Sequence, residues 1–420
     1  MPSNPGAGID YELFLDCIHC GLCLSSCPTY EELGTEMDGP RGRIYLMRAV
    51  TDGRLALDAV VRRHLDLWLD CRACESACPS GVQYHKLVEP FRIAMEQSQP
   101  ASPPSRLLRF ALRHVFPFAG RSRLALAPVR LLQRVGIDRW LRKFWPRRLR
   151  QMHDQLPRLG PHPGRLPELL PAEGVRRARV ALFTGCVADA VYPQTNWNTA
   201  RVLQKNGCEV VVPRSQGCCG ALAYHAADER SARAFAEANC RAFDLDAVDA
   251  VITNAAGCGA QLKEYGHLAG DAGAKLAAKI RDISEFLIDL GPVAPTLPLR
   301  LKATYHDACH LVHAQRIRSQ PRKLLEMIPE LQLVPLAESE LCCGAAGSYN
   351  LTQPEMAERL GRRKAEQILA TGASAAFAGN VGCLMQIARF VHESRPTFWI
   401  AHPIDALAKS YGVERRFAEA

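Results

Sequence analysis

The sequence predicts an α+β multidomain protein: a small helical N-terminal domain built around cysteine loops, followed by two similar α/β domains. Three observations carry that prediction. Two cysteine runs, CIHCGLCLSSCP and CRACESACP, lie in the first hundred residues. Between them, apolar residues in GPRGRIYLMRAVTDGRLALDAVVRRHLDLWLD recur every three or four positions (Ile44, Met47, Val50; Leu57, Val60, Val61, Leu65, Trp68), the period of an amphipathic helix. From about residue 175 the chain repeats itself, with short β-rich strands alternating with helical segments around two Cys-Cys-Gly turns.

The length of 420 residues leaves room for about three domains, because single hydrophobic cores stop growing at a few hundred residues. The pattern places a helical domain at 1–100, a basic Pro/Arg-rich linker at 101–172, and the two α/β domains at 173–292 and 293–420. With 48% hydrophobic and 23% charged residues, the composition is that of a globular chain and excludes a fibrous or disordered one. MPSNPGAGIDYELFLD shows no leader pattern or twin arginine, and no apolar run approaches the ~18 residues of a membrane span, so a cytoplasmic protein is expected. Seventeen cysteines in a reducing compartment point to metal ligation or redox work rather than disulfides.

The formal net charge of +9 is concentrated between Arg106 and Arg179. Prolines there are expected to break the chain into short amphipathic helices or extended pieces, with Leu, Phe and Trp opposite Arg. Two readings stay open: a strap across the neighbouring domains, or an element that docks on a membrane surface or partner. Nucleic-acid binding is set aside, because no recognition module accompanies the charge.

C-x2-C-x2-C-x3-C-P is a specific pattern. Three closely spaced thiolates wrap three corners of an iron-sulfur cube, and the fourth, before proline, reaches the other cube. That wiring assigns Cys17, Cys20, Cys23 and Cys78 to a first 4Fe-4S cluster in a helical ferredoxin-type domain. It assigns Cys27, Cys71 and Cys74 to a second, whose fourth position is taken by Trp68. Three states fit the second site: a 3Fe-4S cluster, a 4Fe-4S cluster with a water or oxygen ligand such as Asp70, or an empty site. Trp68 reads as a core residue of the preceding helix, since indole nitrogen only donates hydrogen bonds and cannot ligate iron.

The repeats offer Cys186, Cys218, Cys219 and Cys258, and in parallel Cys309, Cys342, Cys343 and Cys383. Each follows a strand or its turn, and loops at the carboxyl ends of parallel strands converge on one sheet edge. Adjacent cysteines before a glycine are better explained by ligation or redox work than by packing. An additional cluster, a structural zinc ion or inert buried thiols all remain open. Cys208 and Cys240 fall outside the pattern and read as core residues; His306, His310 and His313 flank Cys309. No dinucleotide fingerprint, P-loop or serine elbow is present, so the chain reads as an electron carrier supplied from elsewhere.

The stretches CIHCGLCLSSCPTY, DGPRGRIYLM, CRACESACPSGVQYH, QGCCGALAYH, AGCGAQLKEYG and ELCCGAAGSYNLTQPEMAERL together resemble the iron-sulfur subunits of bacterial glycolate oxidase. The resemblance implies flavin-containing partner subunits that oxidise glycolate to glyoxylate, with this chain relaying electrons to a membrane quinone. A peripheral place on the cytoplasmic face of the inner membrane goes with that role. Trp68 departs from the family's full second run. The Cys-Cys-Gly repeats also resemble those of heterodisulfide reductase and of lactate- and glycerol-3-phosphate-oxidising systems, which keeps a related complex as the alternative. Each repeat here carries one terminal cysteine where the non-cubane cluster motif of heterodisulfide reductase has a further one.

Overall fold

The structure, a computed structural model, describes residues 4–99 and 106–413. Residues 1–3, where the leader reading begins, the proline-rich 100–105 and 414–420 lie outside the described residues.

The N-terminal domain is helical, and its cysteine runs lie mostly in the loops. Helix Pro40–Thr51 starts with proline in its first turn, where the missing N–H costs nothing. Helix Ala59–Asp66 is capped by Asp58, which accepts from Val60 N and Val61 N. These helices, with His85–Ser98, bury Phe14, Met47, Leu65, Leu87 and Phe91 in one core. Trp68 joins that core, but not from a helix. The helix ends at Asp66, and the indole packs from the segment after it, edge-on to Tyr84 at 6.2 Å between ring centroids.

The basic segment forms the helices Arg106–His114, Ala119–Arg134, Asp138–Leu141 and Arg147–Asp154. Pro128 does not break the chain as expected; it sits inside the 16-residue helix Ala119–Arg134. Leu124, four residues earlier, is 76% exposed, so water can take the carbonyl that proline leaves without a partner. The segment straps across both repeats: Arg113 pairs with Asp228 at 2.8 Å, Arg130 Nη2 donates to Ala190 O at 2.9 Å, and Gln155 Oε1 accepts from Asn350 Nδ2 at 3.1 Å.

Two sheets follow. The first comprises β1 (Leu169–Leu170), β2 (Ala178–Phe183), β3 (Cys208–Val211), β4 (Ala250–Thr253) and β5 (Ile280–Asp282), in the order β1-β3-β2-β4-β5. All pairings are parallel except that of β1 with β3. Thus the end of the segment read as linker supplies an edge strand to the first sheet. The second comprises β6 (Leu301–His306), β7 (Leu331–Val334), β8 (Ala375–Ala378) and β9 (Trp399–Ala401), ordered β7-β6-β8-β9 and wholly parallel. Strand for strand, β3-β2-β4-β5 and β7-β6-β8-β9 are the same arrangement. The central strands read as continuous apolar runs because helices cover both faces of each sheet.

The two repeats share one core. Val180, Leu182, Leu203 and Ile252 of the first pack in the same cluster as Tyr305, Leu325, Phe377 and Leu407 of the second. Asp405 stitches them further, accepting from Thr195 Oγ1 at 3.0 Å and Asn198 Nδ2 at 2.9 Å.

Candidate metal centres

The structure brings Cys17, Cys20, Cys23 and Cys78 around a single pocket, lined also by Arg41 and Val82. The loop turns there because His19 and Gly21, on either side of Cys20, adopt left-handed backbone conformations. Glycine suits the position: its φ is +85°, and a Cβ would lie 2.5 Å from Arg41 Nη1, which donates to His19 O at 2.9 Å. Burial pushes the Cys23 thiol up to about 11, and Cys17 moves the same way for the same reason. Ligation would therefore displace protons, and a cationic iron centre supplies the charge that favours it. Cys20 is exposed, so this site opens to the surface.

Cys27, Cys71 and Cys74 are all buried. Cys71 repeats the geometry of Cys20, with Asp70 and Arg72 on either side in left-handed conformations. Burial and then neighbouring sulfurs push Cys71 and Cys74 up. The sulfur that acts most strongly on Cys71 is Cys309, from the second repeat, ahead of Cys27. Cys71 and Cys342 share an apolar cluster against which Cys309 packs. Cys27 Sγ lies 3.2 Å from Thr29 Oγ1, which buried Arg43 reaches at 3.1 Å.

The Asp70 carboxylate, offered by the sequence as an oxygen ligand, points to the repeats instead. Its Oδ2 lies 3.2 Å from His225 Nδ1 and 3.5 Å from His310 Nε2, while Arg72 Nε is 3.5 Å from Oδ1. Burial opposes an ionised Asp70, yet these three groups hold its carboxyl well below the carboxylate range. His310 Nε2 also lies 2.6 Å from Asp70 O, and Arg72 pairs with Glu89 and Glu264. The second cysteine loop is thereby fixed to both repeats at once. His225 escaped the sequence reading; its only signal was its place at the end of CCGALAYH.

In the first repeat the four cysteines meet at the carboxyl edge of the sheet. Cys186 Sγ and Cys218 Sγ are 3.4 Å apart, as are Cys219 Sγ and Cys258 Sγ. Hydrogen bonding with Cys218 and Cys258 on either side holds Cys219 well below the ordinary thiol range. Tyr265 OH donates to Cys219 O at 2.8 Å and Asn239 Nδ2 to Cys218 O at 2.8 Å, which fixes the turn. In the second repeat the contacts run in the same order, Cys309 to Cys342, Cys342 to Cys343 and Cys343 to Cys383. Cys208 lies on β3 in the shared core, and Cys240 packs against the separate cluster of the first repeat that also holds Cys219 and Cys258. His313 Nδ1 contacts Ser76 Oγ at 2.9 Å, so it braces the N-terminal domain.

A surface-opening cysteine site, a buried cysteine loop and two cysteine-lined sheet edges, joined by direct packing, define an iron-sulfur subunit of an oxidoreductase. Comparison with known proteins agrees. Residues 14–82 match the 4Fe-4S dicluster domain, and residues 180–263 and 303–388 each match the cysteine-rich domain. The chain is 39% identical over 390 residues to the probable glycolate oxidase iron-sulfur subunit of Bacillus subtilis, covering 89% of this chain and 88% of that one. It is 36% identical over 391 residues to the glycolate oxidase iron-sulfur subunit of Escherichia coli, covering 89% of each. A fumarate reductase (CoM/CoB) subunit of Methanothermobacter marburgensis is 31% identical over 360 residues, covering 84% of this chain and 63% of that protein. The chain belongs to the family of glycolate oxidase iron-sulfur subunits.

Proposed function

We propose that this chain is the electron-transfer subunit of a glycolate dehydrogenase complex. In this reading it receives electrons from flavin-bearing partner subunits that oxidise glycolate to glyoxylate and passes them towards a membrane quinone. The first cluster is held by Cys17, Cys20, Cys23 and Cys78, the second by Cys27, Cys71 and Cys74. Such clusters supply one-electron centres whose potentials the protein tunes by burial and hydrogen bonding.

The observation that carries this reading is the inward progression of the sulfurs. Cys20 is exposed, Cys71 is buried, and Cys71 packs beside Cys309 of the second repeat. Exposed Ile18 and Leu22, at 69% and 59%, flank Cys20 and give a partner an apolar landing beside the outer site. Glycolate is favoured over lactate because relatives named for glycolate oxidase align with 89% of the chain. A lactate utilization protein A from Shouchella clausii, 33% identical and covered over 95% of its own shorter length, aligns with 53% of this chain.

Membrane contact is supported by the basic segment, where Leu124, Leu131, Trp140 and Phe144 are 60–76% exposed. An apolar row set in arginine-rich helices suits an anionic lipid interface. No described helix is long and apolar enough to cross a membrane, so such contact would be peripheral.

The test uses the anaerobically purified complex. Glycolate should reduce this chain's clusters, seen as bleaching of their visible absorbance. Cys20→Ser should abolish reduction of a quinone acceptor while leaving flavin reduction by glycolate unchanged. Equal loss of both steps would assign Cys20 to assembly rather than to electron transfer.

A further inference from the structure

The repeats differ at the end of their first strand. Phe183 ends β2 opposite Thr253, and His306 ends β6 opposite Ala378. Each lies three residues before the first cysteine of its set, so the two positions are equivalent. One copy places a hydrocarbon ring there and the other an imidazole.

His306 is fully buried. Its Nδ1 lies 3.0 Å from Ser339 O, so this nitrogen carries the proton and donates it to the carbonyl. Nε2 is then left with a lone pair, and it has no hydrogen-bond partner. An unpartnered buried acceptor costs about 1–3 kcal/mol, so the fold has reason to satisfy it. A ring nitrogen of His306 lies within 4.8 Å of Cys343 Sγ and Cys383 Sγ, which are themselves within that distance of each other, and Nε2 is the nitrogen left without a hydrogen-bond partner. Cys343 and Cys383 are 1% and 2% exposed.

The surroundings match those of a metal ligand. A ligating histidine typically donates its other ring N–H to a carbonyl or carboxylate, which fixes the tautomer, as Ser339 O does here. Burial first, and then the Lys364 ammonium, hold His306 far below its ordinary pKa, so the imidazole is neutral. Cys383 is the third residue of the 14-residue helix Val381–Ser394, so its sulfur sits in the first turn, at the positive end of the helix dipole. Asn380 Nδ2 donates to Cys383 Sγ at 3.5 Å. Lys364, only 1% exposed, lies beside the same sulfurs; burial lowers its pKa and the sulfurs work against that, so its ammonium can offset one thiolate charge there.

We propose that His306 Nε2, Cys343 Sγ and Cys383 Sγ form a mixed imidazole-thiolate site for a borderline-soft metal ion, zinc or iron, in the second repeat alone. Cys342, the next sulfur in the row, stands nearest to complete a tetrahedral set, a donor combination that suits either metal. At the equivalent position the first repeat has Phe183, which offers no nitrogen to its four sulfurs, so the duplicated sites differ in their ligands.

The test is made on the full chain purified anaerobically with 15N-labelled histidine. If the metal is zinc, X-ray absorption at its edge should require one imidazole nitrogen beside sulfur, with about one zinc per chain. If it is iron, pulsed paramagnetic resonance should show a histidine 15N coupling. His306→Phe, which installs the first repeat's residue, should remove whichever signal is present and leave the N-terminal clusters' absorbance intact. His306→Gln should do the same and guards against a folding defect peculiar to phenylalanine. Wild-type protein with neither signal, or a signal that survives both substitutions, overturns the proposal.

Discussion

Cys20 and Cys71 each sit between two left-handed residues, His19 and Gly21 in one loop, Asp70 and Arg72 in the other. Three residues upstream, the first loop has Cys17 at the cavity wall and the second has Trp68 in the hydrophobic core. The repeats behave alike. β3-β2-β4-β5 and β7-β6-β8-β9 share one order, yet Phe183 answers His306 and Asp282 answers His402. Asp282 and His402 cap equivalent helices, Ile283–Leu290 and Pro403–Ser410, through the same capping box. In both duplications the backbone is kept while the side chains that set chemistry diverge. Backbone shape is held by many contacts, whereas the identity of a ligand rests on one residue.

The sharpest way to break the comparison of the loops is Trp68→Cys. If the second site holds a three-iron centre, restoring the thiol should raise iron by one per chain and convert it to a four-iron one, read by iron analysis and low-temperature paramagnetic resonance. Losing the indole should cost about 3–5 kcal/mol of core packing before any gain from the metal. Unchanged iron and spectrum would mean that position 68 no longer aims at the second site.

A smaller effect should separate the Cys-Cys-Gly turns. Gly220 and Gly344 have φ of 86° and 85°, and an added Cβ would lie 3.2 Å from Ala232 O in one and 3.0 Å from Ala357 O in the other. Alanine should cost roughly 2 kcal/mol at Gly220 and somewhat more at Gly344, from left-handed strain plus backbone contact. Urea unfolding of the two variants checks the order. A larger loss at Gly220 would contradict it.

The capping pair should show opposite responses to pH. Burial holds His402 down to about 3, so its contribution is fully present above the unfolded value near 6.5 and is lost as pH falls below it. Burial raises Asp282 to about 6, against an ordinary value near 3.8, so there the folded state binds more protons and stability falls as pH rises through that window. Each group changes stability by at most about 1.4 kcal/mol per pH unit. His402→Asn should therefore make urea midpoints between pH 6.5 and 4.5 less acid-sensitive than wild type, and Asp282→Asn should make them more so. Parallel shifts of the two variants would refute the assignment.

The cysteine spacing, the helical period between the runs and the internal duplication were legible in the chain, because each depends on residues close together in sequence. The alternation of strands and helices likewise announced both sheets, and Cys208 read correctly as a core residue. Helix-internal Pro128 and the position of Trp68 beyond its helix were not legible, since solvent exposure and core packing overrode local propensity. The sequence also could not show that Asp70 turns to His225 and His310, or that Cys71 packs against Cys309 rather than facing only its own loop. Asp70 and His310 lie 240 residues apart. Ligand types and their spacing are thus written locally in the chain. Which sulfur, carboxylate or imidazole faces which is settled only when three packed units exclude water between them.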